Sequence, residues 1–266
     1  MLYEPALRFA QRHTPRPEPT GLDVTSSLRH FSIVSWAVPP ERLRARLNPR
    51  LELDLLTLDD GRVCALVSAV SFENHEFQAA AFPSPAITCG QTNYRVYVRD
   101  RETGQPAVWF LGTALDSFSV VFPKVLWDMP WHRARMRFAC QEDPDAHEGY
   151  ARYELDADSD DAPARLVLEG LGVFAERLEG LPDVEEGLVW LTHPFVGFYD
   201  DDHGGLHTYS VWHEPVRLVE ARVVEARFGL LDALGVVPYE EQRRVHSALV
   251  ARRTDYTIYL PPKRVP

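Results

Sequence analysis

The segment Gln91-Thr92-Asn93-Tyr94-Arg95-Val96-Tyr97-Val98-Arg99 carries an amide, a guanidinium and a phenol at alternate positions. In an extended strand, Gln91, Asn93, Arg95 and Tyr97 share one face, and Tyr94, Val96 and Val98 share the other. Arginine offers a planar fork of donors that matches a carboxylate, and an amide and a phenol beside it can orient what it holds. Such a row is either the wet outer face of a sheet or the polar wall of a ligand cavity in a small barrel. The second reading makes Arg95 an anion clamp, with Asn93 and Tyr97 as orienting groups.

A second alternating run, Trp131-His132-Arg133-Ala134-Arg135-Met136-Arg137-Phe138, puts Trp131 and three arginines on one face and His132, Ala134, Met136 and Phe138 on the other. A row of arginines on an acidic chain reads first as a salt-bridged surface. Histidines gather late, at His193, His203, His207 and His213. On one strand, His207 and His213 would stand about 20 Å apart at ~3.3 Å per residue, too far to share an ion. No metal and no cofactor are therefore expected. Imidazole titrates near neutrality, so His132 or His213 could serve as a general base. Amine chemistry has only two places to happen, Lys124 and Lys263. The three cysteines, Cys64, Cys89 and Cys140, show no CxxC spacing, and Cys64 sits in an apolar run as a small hydrophobe. No GxGxxG, P-loop, GxSxG or HExxH motif is present.

These groups need strands laid side by side to bring them together. Phe31–Val38 reads as a strand and Pro39–Leu47 as a helix with proline at its start and leucines four apart. Further β-runs separated by turn residues are Leu51–Leu58, Arg62–Phe72, Gln91–Arg99, Ala107–Leu115, Trp131–Cys140 and Tyr150–Leu155. Later ones are Arg165–Glu169, Pro194–Tyr199, Leu206–His213, Leu218–Phe228 and Val250–Leu260. Asp116-Ser117 is placed to cap a helix running through Lys124 to Trp127, and a later helix covers Gly229–Leu234 or Glu240–His246. The pattern predicts a mainly β protein, an antiparallel sandwich or barrel, with an N-terminal arm over residues 1–20 and a single domain over 21–266.

Composition agrees with a globular chain: 266 residues, 45% hydrophobic and 11% aromatic, enough to bury a large core. A formal charge of −11 opposes nucleic-acid binding, which concentrates positive charge. No apolar run approaches the roughly 18 residues of a membrane span, and no secretory signal opens the sequence, so a cytoplasmic address is expected.

Several segments resemble the uncharacterised bacterial YqjF-like family, whose fold is that of acetoacetate decarboxylase. They are the Trp36 strand with Pro39-Pro40-Glu41-Arg42-Leu43, Leu51-Glu52-Leu53-Asp54, and Asn93-x-Arg95-x-Tyr97-Val98. Val108-Trp109-Phe110 leading to Leu115-Asp116, Met129-Pro130-Trp131-x-x-Ala134-Arg135-Met136, Leu191-Thr192 and His213-x-Pro215 complete the set, from about Leu28 to Pro262. The resemblance implies a cone-shaped antiparallel β-barrel with an internal pocket and a few short peripheral helices. Acetoacetate decarboxylases carry a Phe-Pro-Lys-Lys-type segment whose first lysine forms a Schiff base. Aligned through proline, this chain reads Met129-Pro130-Trp131-His132, with neither lysine. The alternative match, Phe122-Pro123-Lys124, is followed by Val125 and lacks the cation that would lower an amine's pKa. Ser35 and His193 stand where the nearer family leads one to expect histidine and glutamate, and Asp116 matches a family aspartate.

The leading expectation is a barrel that binds a small anionic ligand, through Asn93, Arg95, Tyr97, Trp131, His132 and His213, without Schiff-base decarboxylation. One alternative is a lysine-independent enzyme on the same pocket with a histidine base. The other is a structural or partner-binding protein with a filled core. The binder requires a cavity of roughly 300 Å³ converging on Arg95. Neither nucleic acid nor membrane is expected as a partner, and self-association is left open.

Overall fold

The computed structural model describes residues 15–116, 129–144, 149–181, 183–201, 203–214, 216 and 218–265. Its strands are β1 (Val24–Val38), β2 (Leu51–Leu53), β3 (Leu55–Thr57), β4 (Val63–Ala79), β5 (Phe82–Asp100), β6 (Pro106–Leu115) and β7 (Trp131–Arg133). They continue as β8 (Arg135–Glu142), β9 (Tyr150–Asp158), β10 (Ala164–Phe174), β11 (Val196–Asp200), β12 (Leu206–His213), β13 (Val219–Phe228) and β14 (Ser247–Arg264). Three short helices are described, α1 (Glu41–Arg44), α2 (Val184–Thr192) and α3 (Gly229–Ala233).

All these strands belong to one sheet. Seven of them run β1-β4-β5-β6-β11-β12-β14, and β14 pairs back onto β1 from Val24↔Ile258 to Ser35↔Ser247, which closes a ring. Closure gives every ring strand a neighbour on both sides and leaves an inside to line. The barrel is antiparallel except at one seam, where β11 runs parallel to β6. A parallel neighbour needs a long crossover, and residues 116–195 supply it.

From β14 the sheet continues through β13, β10, β9 and β8, and this wing covers the outside of the ring. Phe228 packs edge-on against Trp36 and Tyr94, and a Cβ on Gly90 would lie 2.7 Å from Met136 Cβ, so β5 and β8 approach closely. The outcome is two cores. Ile33, Val70, Phe72, Val108 and Phe110 fill the inside of the ring, while Val34, Val67, Ala69, Val96 and Phe228 fill the space under the wing. Strands buried on both faces read as near-continuous apolar runs, which is why Cys64–Val67 shows no alternation.

The observed elements are mostly longer than the sequence patterns suggested, β4 and β5 especially. The helix expected over Pro39–Leu47 is only Glu41–Arg44, with Pro40 at its N-cap. The run Trp131–Cys140 breaks into two strands at Ala134. Of the two sites offered for a late helix, Gly229–Ala233 is helical. The helix expected after Asp116, with Lys124, lies outside the described residues. Helix α2 was not anticipated, although Asp183 with Glu186 three residues on is a capping pattern, and Val184, Leu188 and Leu191 recur at helical spacing. No helix among the described residues is long and apolar enough to cross a membrane.

Candidate ligand-binding site

A cavity opens inside the ring, and every one of the seven ring strands contributes to its lining. Period-two alternation turns Asn93, Arg95 and Tyr97 to the inner side of β5, so the polar row is an interior wall and not a wet surface. The polar lining residues are Asn93, Arg95, Thr192, His213, Thr254 and Tyr256. Val70 and Phe72 stand two and four residues along the neighbouring strand from Ser68, the partner of Arg95, and Phe31 stacks on Phe72 at 6.4 Å. The enclosed volume is about 40 Å³. At about 10–15 Å³ for each water-sized group, it takes roughly three of them. This falls far short of the roughly 300 Å³ expected of a drug-sized site.

Arg95 enters from β5 and meets the C-terminal end of α2. Its Nη2 donates to Leu191 O at 2.7 Å and to Tyr97 Oη at 3.3 Å. Tyr97 also donates to Leu191 O at 3.0 Å. With its one proton given away, the Tyr97 oxygen accepts from Arg95 and from Ser68, 3.0 Å away, and Ser68 is in turn 2.7 Å from Ser35. Trp190 stacks on Tyr97 at 4.3 Å and donates to Asp54. The end carbonyls of a helix carry partial negative charge, so a guanidinium is at home there. Of the guanidinium nitrogens, Nη2 is thus engaged by the chain. Nε of Arg95 is buried without a hydrogen-bond partner, and no carboxylate among the described residues pairs with this arginine.

Asn93 Oδ1 accepts from Gln91 at 2.8 Å and from Thr113 at 3.0 Å, so its NH₂ is the half left for the cavity. His213 is held by backbone carbonyls, with Nδ1 2.7 Å from Glu214 O and Nε2 2.5 Å from Thr192 O. Its ring nitrogens address the chain rather than the cavity, which does not suit a general base. Burial holds the Tyr256 phenol well above its usual pKa, with Arg95 pulling the other way. Gly197 leaves room that Phe110 uses, since a Cβ there would meet its ring at 2.6 Å.

The other sequence candidates stand elsewhere. Trp131 packs on the edge of the inner core beside Cys89 and Leu115, outside the cavity lining. His132 sits against Gly112, near Leu230 and Asp161, on the opposite side of the sheet, because neighbouring residues of a strand face opposite ways. Asp116 accepts from Met136 N at 3.2 Å and so ties β6 to β8. Lys263 is exposed near the end of β14. Among the late histidines, His207 pairs with Asp201, whose carboxylate also accepts from the backbone of His203 and Gly205; these contacts hold it below the usual carboxylate pKa. No cluster of three or more metal-ligating side chains occurs among the described residues. Sequence reasoning missed Thr192, Thr254 and Tyr256. Thr254 and Tyr256 alternate on one face of β14, but nothing local shows which face turns inward.

The family DUF2071, described as an uncharacterized conserved protein, matches residues 25–254. The chain belongs to this family. None of the curated proteins matches it. Among solved structures, the enduracididine biosynthesis enzyme MppR complexed with pyruvate aligns with a TM-score of 0.58 at 13% identity, over 94% of this chain and 91% of that one. Acetoacetate decarboxylase from Legionella pneumophila subsp. pneumophila str. Philadelphia 1 aligns with a TM-score of 0.57 at 14% identity, over 98% and 96%. An acetoacetate decarboxylase-like enzyme from Sphingomonas wittichii RW1 gives a TM-score of 0.57 at 12% identity, over 93% and 94%. At these identities the likeness establishes the fold, that of acetoacetate decarboxylase, and leaves chemistry to the side chains.

Proposed function

We propose that this DUF2071 protein binds a small carboxylate inside its barrel, with Arg95 as the charged anchor. The observation that carries the reading is an arginine inside the ring with no carboxylate partner among the described residues and a buried, unpaired Nε. An unmatched donor of this kind costs free energy in the empty protein, and an entering anion recovers it. Asn93 supports the same reading, because its oxygen is engaged and its NH₂ remains for an acceptor. The small volume limits the ligand to a few heavy atoms. A pyruvate complex is known for MppR, which shares the fold.

The histidine-base enzyme finds less support. His132 is away from the cavity, and the His213 nitrogens are turned to carbonyls. The test is calorimetric titration of one- to three-carbon carboxylic acids into wild type and Arg95→Ala. Loss of the charge-assisted bond should weaken binding by about 1.5–3 kcal/mol. Equal affinity in the two proteins would refute Arg95 as the anchor.

A further inference from the structure

We infer that Thr254 is a specificity residue that reads a hydroxyl on the bound carboxylate, so that the ligand of this site is a small hydroxy acid. The inference rests on the carboxylate reading above and adds a second polar contact to it. Thr254 lies on β14, is only 7% exposed and lines the cavity, and its Oγ1 has no hydrogen-bond partner. Two buried side-chain polar atoms without a hydrogen-bond partner, Arg95 Nε and Thr254 Oγ1, belong to residues of this one cavity.

They arrive from strands that are not neighbours in the ring, β5 and β14, so the cavity has polar groups on two separate walls. A threonine hydroxyl both donates and accepts, so a ligand hydroxyl can meet it in either sense. Two of the other polar lining residues can only donate to a ligand: Asn93 has its oxygen engaged and Arg95 has only donors, while Thr192, its proton given to Leu188 O, keeps an accepting oxygen. A ligand hydroxyl therefore finds in Thr254 an acceptor for its proton. The apolar residues Phe31, Val70 and Phe72 surround the remaining space, where an unsatisfied second oxygen would be rejected. Val70, Phe72 and Thr254 thus discriminate between ligands that Arg95 alone would treat alike.

The experiment compares matched pairs of the smallest acids by calorimetry, acetate with glycolate and propionate with lactate, on wild type, Thr254→Val, Thr254→Ser and Arg95→Ala. In wild type, at least one hydroxy acid should bind roughly tenfold more tightly than its unsubstituted partner. Thr254→Val, which keeps the shape and removes the hydroxyl, should bring the pair within about twofold. Thr254→Ser should retain the preference, which keeps the test open if the valine variant folds poorly. No hydroxyl preference in wild type, or a preference that survives in Thr254→Val, overturns the Thr254 assignment alone. Binding that ignores Arg95→Ala, or no binding of any of the four acids, overturns the carboxylate reading beneath it.

Discussion

Tyr97 does not border the cavity, yet it sets where Arg95 can be. Its hydroxyl accepts from Nη2 of Arg95, and both groups converge on Leu191 O. Ser68, fully buried, holds the same oxygen from behind. Removing that oxygen leaves Ser68 with Ser35 alone and frees Arg95 to swing about its remaining bond. Tyr97→Phe is therefore expected to destabilise the fold by about 1–3 kcal/mol, read from urea denaturation, since Ser68 and Leu191 O each lose a buried hydrogen bond. Carboxylate affinity should fall as well, but by less than in Arg95→Ala, because the charge stays. A variant as stable as wild type would show that the network is not the support assigned to it. The polar row was visible in the sequence as Asn93, Arg95 and Tyr97. Its division into a donor to the cavity, an anchor and a brace was not, because that depends on the position of Leu191.

Helix α2 is the element that joins the site to the wall. Asp183 caps it, accepting from Glu185 N at 2.7 Å and Glu186 N at 3.3 Å. At the other end, successive carbonyls of Leu191 and Thr192 receive Arg95 and His213. Leu188 and Leu191 seat the helix in the inner core. Asp183→Ala should cost about 1 kcal/mol, the usual value of a lost N-cap. A lowered denaturation midpoint with an unchanged denaturant slope is the expected result, and an unshifted midpoint would remove the cap from the account. A larger fall in carboxylate affinity than in stability would show that fraying of α2 reaches Arg95. The capping residues were present in the sequence, but the segment is only nine residues long and lies between strands. Packing of its apolar face stabilises so short a helix more than propensity does.

Across the whole molecule, the fold is that of acetoacetate decarboxylase. The resemblance aligns Met129-Pro130-Trp131-His132 with that family's lysine segment, and Lys263 is exposed at the end of β14. The protein should release no acetone from acetoacetate and form no borohydride-reducible adduct. Intact mass measured after incubation with both reagents checks this, and an adduct mapped to Lys124 with acetone release lost in Lys124→Ala would reverse the conclusion. The sequence alone determined the class of fold, because period-two patterns and turn residues are local and survive without knowledge of neighbours. It also determined which face of β5 is polar, since alternation along a strand is a property of the backbone. Only the tertiary structure decided that this face looks inward, because β1 closing on β14 creates the inside. The same closure separated Asn93, Arg95 and His213 from Trp131 and His132, which share a strand pattern but not a cavity. It also brought in Thr254 and Thr192 from segments 159 and 97 positions away from Arg95 in a chain of 266 residues. No local signal records such an encounter, since the ring's register and the seat of α2 fix it together.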